Sequence, residues 1–212
     1  MEDIRYIHEY NQRIKYSEEQ ALTLGTYRKQ IFSSDRIDLE IDFKENTAIH
    51  VSVYLYNGEN SLDILPNYTN KYNSISLIWR ELLHSCYWND YCEDYTDGEV
   101  KFKAKDLLSF DWEEVCTVDL DLDTGNPELE STEKYFTGPL LEKYNNKIYD
   151  SDICFYYDKL GEIKHIWVSP GPITHKRDTS MSFTEFKYYY PNFFSENSYY
   201  QNAEFLPCTA LK

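Results

Sequence analysis

Glycine is scarce: a chain of 212 residues has only seven. No phosphate-cradling glycine loop, Gly-x-Ser-x-Gly elbow or His-Glu-x-x-His occurs in it, which disfavours phosphate-handling enzymes, serine hydrolases and zinc proteases of the common kinds. Basic residues are also short, with 21 Lys plus Arg against 37 Asp plus Glu, a formal net charge of -16 and a pI near 4.6. A field of that sign repels phosphate, so it argues against nucleic acid and anionic membrane surfaces and favours a basic partner. No run approaches the roughly 18 apolar residues of a membrane span, and Met1-Glu2-Asp3-Ile4-Arg5-Tyr6 lacks the basic start and apolar stretch of a secretory signal. The expectation is a cytoplasmic protein. Cys86, Cys92, Cys116, Cys154 and Cys208 are odd in number and scattered, the pattern of free thiols rather than of a disulfide framework.

Aromatic residues are abundant: 21 Tyr, 11 Phe and 4 Trp in a chain that is 42% hydrophobic, too much ring surface for a disordered segment. The length suits one domain over residues 1–212, with any weak subdivision near a polar loop at 123–146. Ile4, Ile7, Asn11 and Ile14 recur at helical spacing, and Ser17-Glu18-Glu19-Gln20 reads as a capping box ahead of Ala21, Leu22 and Leu24. Residues 3–32 are therefore expected to be mostly helical. Arg36 to Phe43 alternates polar and apolar without a fault, and Ile49, Val51, Val53 and Leu55 continue the pattern, so a hairpin is expected. Asn57-Gly58 then leads toward a third strand at Leu62 and Ile64. The order Ile75, Ile78, Trp79, Leu82, Leu83 predicts a helix over 74–85, capped by Ser74 or Ser76. Asp97-Gly98 introduces a strand at Val100 and Phe102, 110–122 continues as strand, and 153–157 with 163–168 forms a second hairpin stopped by Pro170-Gly171-Pro172. The expected class is α+β: N-terminal helices, then a mainly antiparallel sheet of hairpins with one central helix packed on it.

Three strings invite chemistry. Asp119, Asp121, Asp123, Gly125 and Glu130 approach the spacing of a calcium loop, but Thr124 stands where the sharp turn needs glycine. His84, Cys86 and Cys92 with Cys116 or Cys154 offer soft ligands, yet no pair has the two-residue spacing of a zinc knuckle. Glu113 with Glu114, or Asp150 with Asp152, could serve as an acid/base dyad, although adjacent acids on a strand point to opposite faces. No catalytic residue, metal site or cofactor is therefore assigned. The surplus of tyrosine implies that several rings lie exposed, where Tyr and Trp give contact area at low entropic cost. Their densest acidic setting is Tyr87-Trp88-Asn89-Asp90-Tyr91-Cys92-Glu93-Asp94-Tyr95. Tyr87, Trp88, Asp90, Tyr91, Glu93, Asp94 and Tyr95 are thus the candidate partner-binding residues.

In overall character the chain resembles the immunity proteins of bacterial contact-dependent and polymorphic toxin systems, which are acidic, aromatic-rich α+β domains without motifs. The resemblance spans the whole chain and rests on no diagnostic motif, so no functional residue is carried over. It implies an inhibitor that covers the basic substrate cleft of a toxin domain, commonly a nuclease. The string Phe110-Asp111-Trp112-Glu113-Glu114-Val115-Cys116, with Asp152-Ile153-Cys154-Phe155, also resembles a pattern in small bacterial proteins. Two other readings stand beside the inhibitor. A nucleic-acid mimic would array its carboxylates in a stripe, and an enzyme with a carboxylate site would converge them on a deep pocket.

Overall fold

The computed structural model describes residues 2–9, 11–34, 36–56, 59–83, 87–141, 148–169 and 178–205. Its strands are β1 (Glu2–His8), β2 (Asn11–Tyr16), β3 (Tyr27–Ser33), β4 (Arg36–Lys44), β5 (Thr47–Leu55), β6 (Ser74–Leu83), β7 (Tyr87–Thr96), β8 (Glu99–Ser109), β9 (Glu114–Asp119), β10 (Glu133–Leu141), β11 (Ile148–Tyr157), β12 (Ile163–Ser169) and β13 (Thr179–Met181). The helices are short: α1 (Glu18–Leu24), α2 (Ser61–Ile64), α3 (Pro66–Thr69), α4 (Phe183–Tyr189) and α5 (Phe193–Glu196). The strands follow the hydrogen-bonded order β13-β12-β11-β10-β9-β8-β7-β6-β5-β4-β3-β1-β2. Of the described pairings, β5 with β6 is parallel.

This corrects the expected architecture of N-terminal helices and a central helix. Of the described residues in 3–32 only α1 is helical, opened by the expected capping box of Ser17 and Gln20 and closed by Gly25 at φ 75°. The segment on its N-terminal side is strand, because Tyr27–Ser33 pairs with Glu2–Ile7 from a distance that local spacing cannot reveal. Ile4 and Ile7 do not share a stripe: Ile7 is buried and Ile4 is exposed. The expected central helix is β6. Ile75 and Leu77 are its buried face, and Val51 and Val53 of β5 are their register partners. A strand enclosed by neighbours reads as a near-continuous apolar run, which mimics a helical stripe. Ser74 and Ser76 therefore cap nothing and bond to His50.

Ile64, expected in a third strand, ends α2. The expected loop at 123–146 carries β10, whose Gly138-Pro139 is tolerated because β10 meets β9 only at Glu133 and Lys134 in the described pairing. A proline there removes no ladder bond on that side. The expected hairpins β4–β5 and β11–β12 form, as does the Asp97-Gly98 turn, with φ of 52° and 81° at its two residues. Asn57-Gly58, Pro170-Gly171-Pro172, His84, Cys86 and Cys208 lie outside the described residues. No described helix is long and apolar enough to cross a membrane.

The chain divides into two compact units, Met1–Glu81 with Asp90–Lys103 and Leu82–Asn89 with Ala104–Lys212, so the division runs through β6, β7 and β8. In the first unit, Ile41, Val51, Val53, Leu55, Ile75 and Leu77 form the core, with Ile64, Leu65, Tyr68 and Tyr72 packed on it from α2, α3 and the turn after them. In the second, Phe155, Ile166 and Val168 of the sheet meet Phe186, Tyr190, Phe193, Phe194, Tyr199 and Tyr200 of the C-terminal segment. Burial of such a ring contributes about 1.5–3 kcal/mol.

The expectation of several exposed tyrosines is also corrected: among the described ones only Tyr188 is exposed. Their hydroxyls find acceptors in the backbone, Tyr157 donating to the Tyr200 carbonyl (2.8 Å), Tyr199 to Phe205 (2.8 Å) and Tyr56 to Ile37 (2.7 Å). Lys134 sits in the same core with no exposed surface. Its Nζ donates to the Tyr199 carbonyl at 2.6 Å and lies 3.6 Å from the Tyr199 ring centroid. Burial lowers its pKa from 10.5 to about 8, so between those values the unfolded chain binds the extra proton and stability rises with pH. Below pH 8 both states are charged and the full desolvation cost is present. Ionisation of the cysteines and tyrosines in the unfolded chain, whose folded pKa values burial raises, opposes the trend from about pH 9. Urea unfolding at pH 8 and pH 10 is expected to show the stability of the parent relative to Lys134→Met rising by about 2 kcal/mol, because the tyrosines and cysteines act alike in both proteins. An equal change in both proteins would rule out the Lys134 contribution.

Candidate functional site

The seven candidate partner-binding residues all fall on β7, and none of them is exposed. Tyr87 and Trp88 belong to the second unit and the other five to the first. Within the first unit the two-residue period separates them. Tyr91, Glu93 and Tyr95 face the side that α2 and α3 cover. Tyr95 packs on that core, and Tyr91 lies against Trp79 with ring centroids 5.2 Å apart. Both hydroxyls donate to Glu93, at 2.8 and 2.7 Å, and burial followed by that hydrogen bond raises both phenol pKa values well above 10. Lys103 adds an ion pair to Glu93 at 3.8 Å.

Asp90 and Asp94 point to the opposite face, into a lattice of polar side chains. The Asp90 carboxylate is buried and receives Arg80 in a two-point contact, with Nε at 2.8 Å. The Arg80 guanidinium lies 4.5 Å over the Tyr54 ring, and Tyr54 donates to Glu40 at 2.9 Å. Glu40 also accepts from Gln30 at 2.6 Å, and Arg28 grips Asp42 through Nε (2.6 Å) and a second nitrogen (3.0 Å). Asp94 accepts from Ser76 and from the Cys92 thiol (3.3 Å). Because Ser76 donates to Asp94, its oxygen is left to accept from His50 Nε2 at 3.0 Å, and His50 Nδ1 then accepts from Ser74 at 2.8 Å. Burial lowers the His50 pKa, in keeping with that neutral tautomer.

A serine beside a histidine suggests a nucleophile, but the carboxylate reaches Ser76 rather than the imidazole. Ser74 and Ser76 also stand in a strand, whose amides serve the sheet ladder. This lattice gives a sheet face its internal partners: Asp90 and Asp94 are spent inside it, and Glu93 is paired on the opposite face.

The second unit offers a different surface. On one face of β10, β11 and β12, three residues stand in a cross-strand row: Tyr135 opposite Cys154, and Cys154 opposite Trp167. A buried cysteine between two large rings leaves a slot. The resulting cavity, about 530 Å³, is lined by Tyr135, Tyr156 and Trp167 and by the carboxylates of Glu113, Glu114 and Asp152. Glu113, Glu114 and Asp152 are exposed, whereas Cys154 is buried. Glu133, in the next row, accepts from the Tyr135 hydroxyl at 2.6 Å and from the Cys154 thiol at 3.7 Å. Burial pushes the Cys154 pKa up to about 12, which keeps it a thiol.

Above the slot the turn from β8 to β9 carries Phe110, Asp111, Trp112 and Glu113, all exposed. Phe110 is 61% and Trp112 48% accessible, and Trp112 holds φ at 67° while stacking on Trp88 at 5.5 Å. Glu113 and Glu114, expected to diverge, line one cavity because Glu113 belongs to this turn and Glu114 opens β9. In the calcium-like string, Asp121 accepts from the amide and hydroxyl of Thr124, both at 2.7 Å, an ordinary side-chain turn. Among the described residues no group of three or more His, Cys, Asp or Glu comes together to hold a metal ion.

No family model, curated protein or solved structure matches the chain.

The lattice yields a stability test. Asp90→Ala leaves a buried guanidinium uncompensated and is expected to cost about 3–5 kcal/mol in urea unfolding, whereas the pair Arg80→Met with Asp90→Leu recovers most of it. A loss below about 1 kcal/mol in Asp90→Ala would mean that the pair behaves as a solvated surface contact.

Proposed function

We propose that the chain is an acidic inhibitor that binds a basic protein, and that this partner is a toxin domain whose cationic substrate cleft it covers. The observation that carries the reading is the β8–β9 turn of the second unit, where two exposed aromatic rings alternate with acids at a strained backbone position. A bulky residue held at positive φ costs on the order of 1–3 kcal/mol, and such strain is characteristic of positions kept for recognition. Phe110 and Trp112 supply the anchoring area that interface hot spots use, and Asp111, Glu113 and Glu114 surround them with charge complementary to a basic cleft. The net charge of -16 speeds the encounter at long range, and ring burial slows release.

The immunity-protein resemblance supplies the class of partner, and the turn supplies a means of holding one. The acids of β7 contribute through the folded sheet and not as a contact surface.

Trp112→Gly separates recognition from folding. Relief of the positive φ offsets the lost stack on Trp88, so stability is expected to stay within about 1 kcal/mol of the parent. Capture of a basic protein from the native host should fall at least about tenfold, with the parent complex released by a salt gradient. Undiminished capture by the variant, or capture indifferent to salt, would contradict the proposal.

A further inference from the structure

We infer that the slot between Tyr135 and Trp167 receives one cationic side chain, lysine or arginine, of the protein partner; this rests on the inhibitor reading above. The slot follows from side-chain size, because the Tyr135–Cys154–Trp167 row places a small thiol between two rings that would otherwise close over it. Tyr156 forms a third wall and is held in place by stacking on His165, with centroids 4.2 Å apart and planes 12° from parallel. The Tyr135 hydroxyl is tied to Glu133, which fixes that ring as well. Ring faces attract an organic cation, and more so where water is partly excluded.

The charge at the rim selects the same ligand. Glu113, Glu114 and Asp152 line the cavity, and none of its described lining residues is Lys or Arg. An alkyl stem covers the rings while the ammonium or guanidinium reaches the carboxylates, the division of labour that long cationic side chains show elsewhere. A planar guanidinium also stacks on such walls. Glu113 and Glu114 belong both to this rim and to the segment that follows Trp112, so a partner held by the turn presents its neighbouring basic residue to the slot. Nucleic acid and anionic lipid are excluded by the same carboxylates.

The test uses the full chain with ¹⁵N-labelled tryptophan indoles, the Trp167 resonance being assigned through Trp167→Phe. Nα-acetyl-arginine methylamide and its lysine counterpart are titrated at 150 mM salt, about the physiological ionic strength, with the norleucine derivative as the neutral control. The expected result is a saturable Trp167 shift with a dissociation constant on the order of millimolar for either cation. It should weaken at least about fivefold when Asp152→Asn and Glu114→Gln are combined, and vanish in Cys154→Met, which fills the slot. Retained dispersion of the other indole signals shows that each variant is folded. No saturable shift with either cation, or an equal shift with norleucine, overturns the inference. If Trp112→Gly still abolishes capture of the basic partner in that case, the inhibitor reading survives and the slot alone is lost. A cation-induced shift combined with partner capture that Cys154→Met leaves unchanged also overturns it, since the occupant would then be a free small cation.

Discussion

A β-strand shows alternate side chains to two faces, and a chain built mostly of strands with only short helices cannot cover both faces of its sheet with apolar residues. Each unit meets that constraint in its own way. In the first, α2 and α3 cover one face and the other is sealed by charge paired with charge: Arg28 with Asp42, Arg80 with Asp90, and Tyr54 and Gln30 on Glu40. In the second, the C-terminal aromatic segment covers one face, and the other keeps rings and carboxylates around a cavity. The abundance of tyrosine suits both solutions, since each ring fills space while its hydroxyl reaches a carbonyl or carboxylate.

The same constraint separates acids paired inside the fold from acids that stand exposed. Asp90, Glu93 and Asp94 each accept hydrogen bonds or ion pairs from within the first unit. Glu113, Glu114 and Asp152 stand exposed around the cavity with Tyr135 and Trp167, Asp152 accepting from Thr137 at 2.9 Å. Net charge counts both groups equally, although only the second is exposed. Long-range attraction depends on the total, whereas affinity depends on where rings and carboxylates share a surface.

How much of this was legible followed from how local each signal was. The strict alternation of Arg36–Phe43 and the Asp97-Gly98 turn are written within a few residues, and both appear in the fold. The capping box at Ser17 was equally local. By contrast, β1, β6 and β10 depend on partners elsewhere in the chain, and their spacing alone suggested helix, helix and loop. The density of rings and acids in the Tyr87–Tyr95 string is local, but whether an acid is spent internally depends on Arg80, Ser76 and Lys103 arriving from other strands. The slot was hidden for the same reason: Tyr135, Cys154 and Trp167 become one row only when β10 is recognised as a strand and its register is known.

The central claim is that the chain holds its partner through the β8–β9 turn and its neighbouring slot, while the acids of β7 serve the fold. Backbone hydrogen exchange of the chain, free and bound to a captured basic partner, tests it most directly. The account predicts that amides of residues 90–95 are protected in the free protein and unchanged on binding, and that those of residues 110–114 become protected. New protection confined to residues 90–95, with 110–114 exchanging as freely as before, would contradict it.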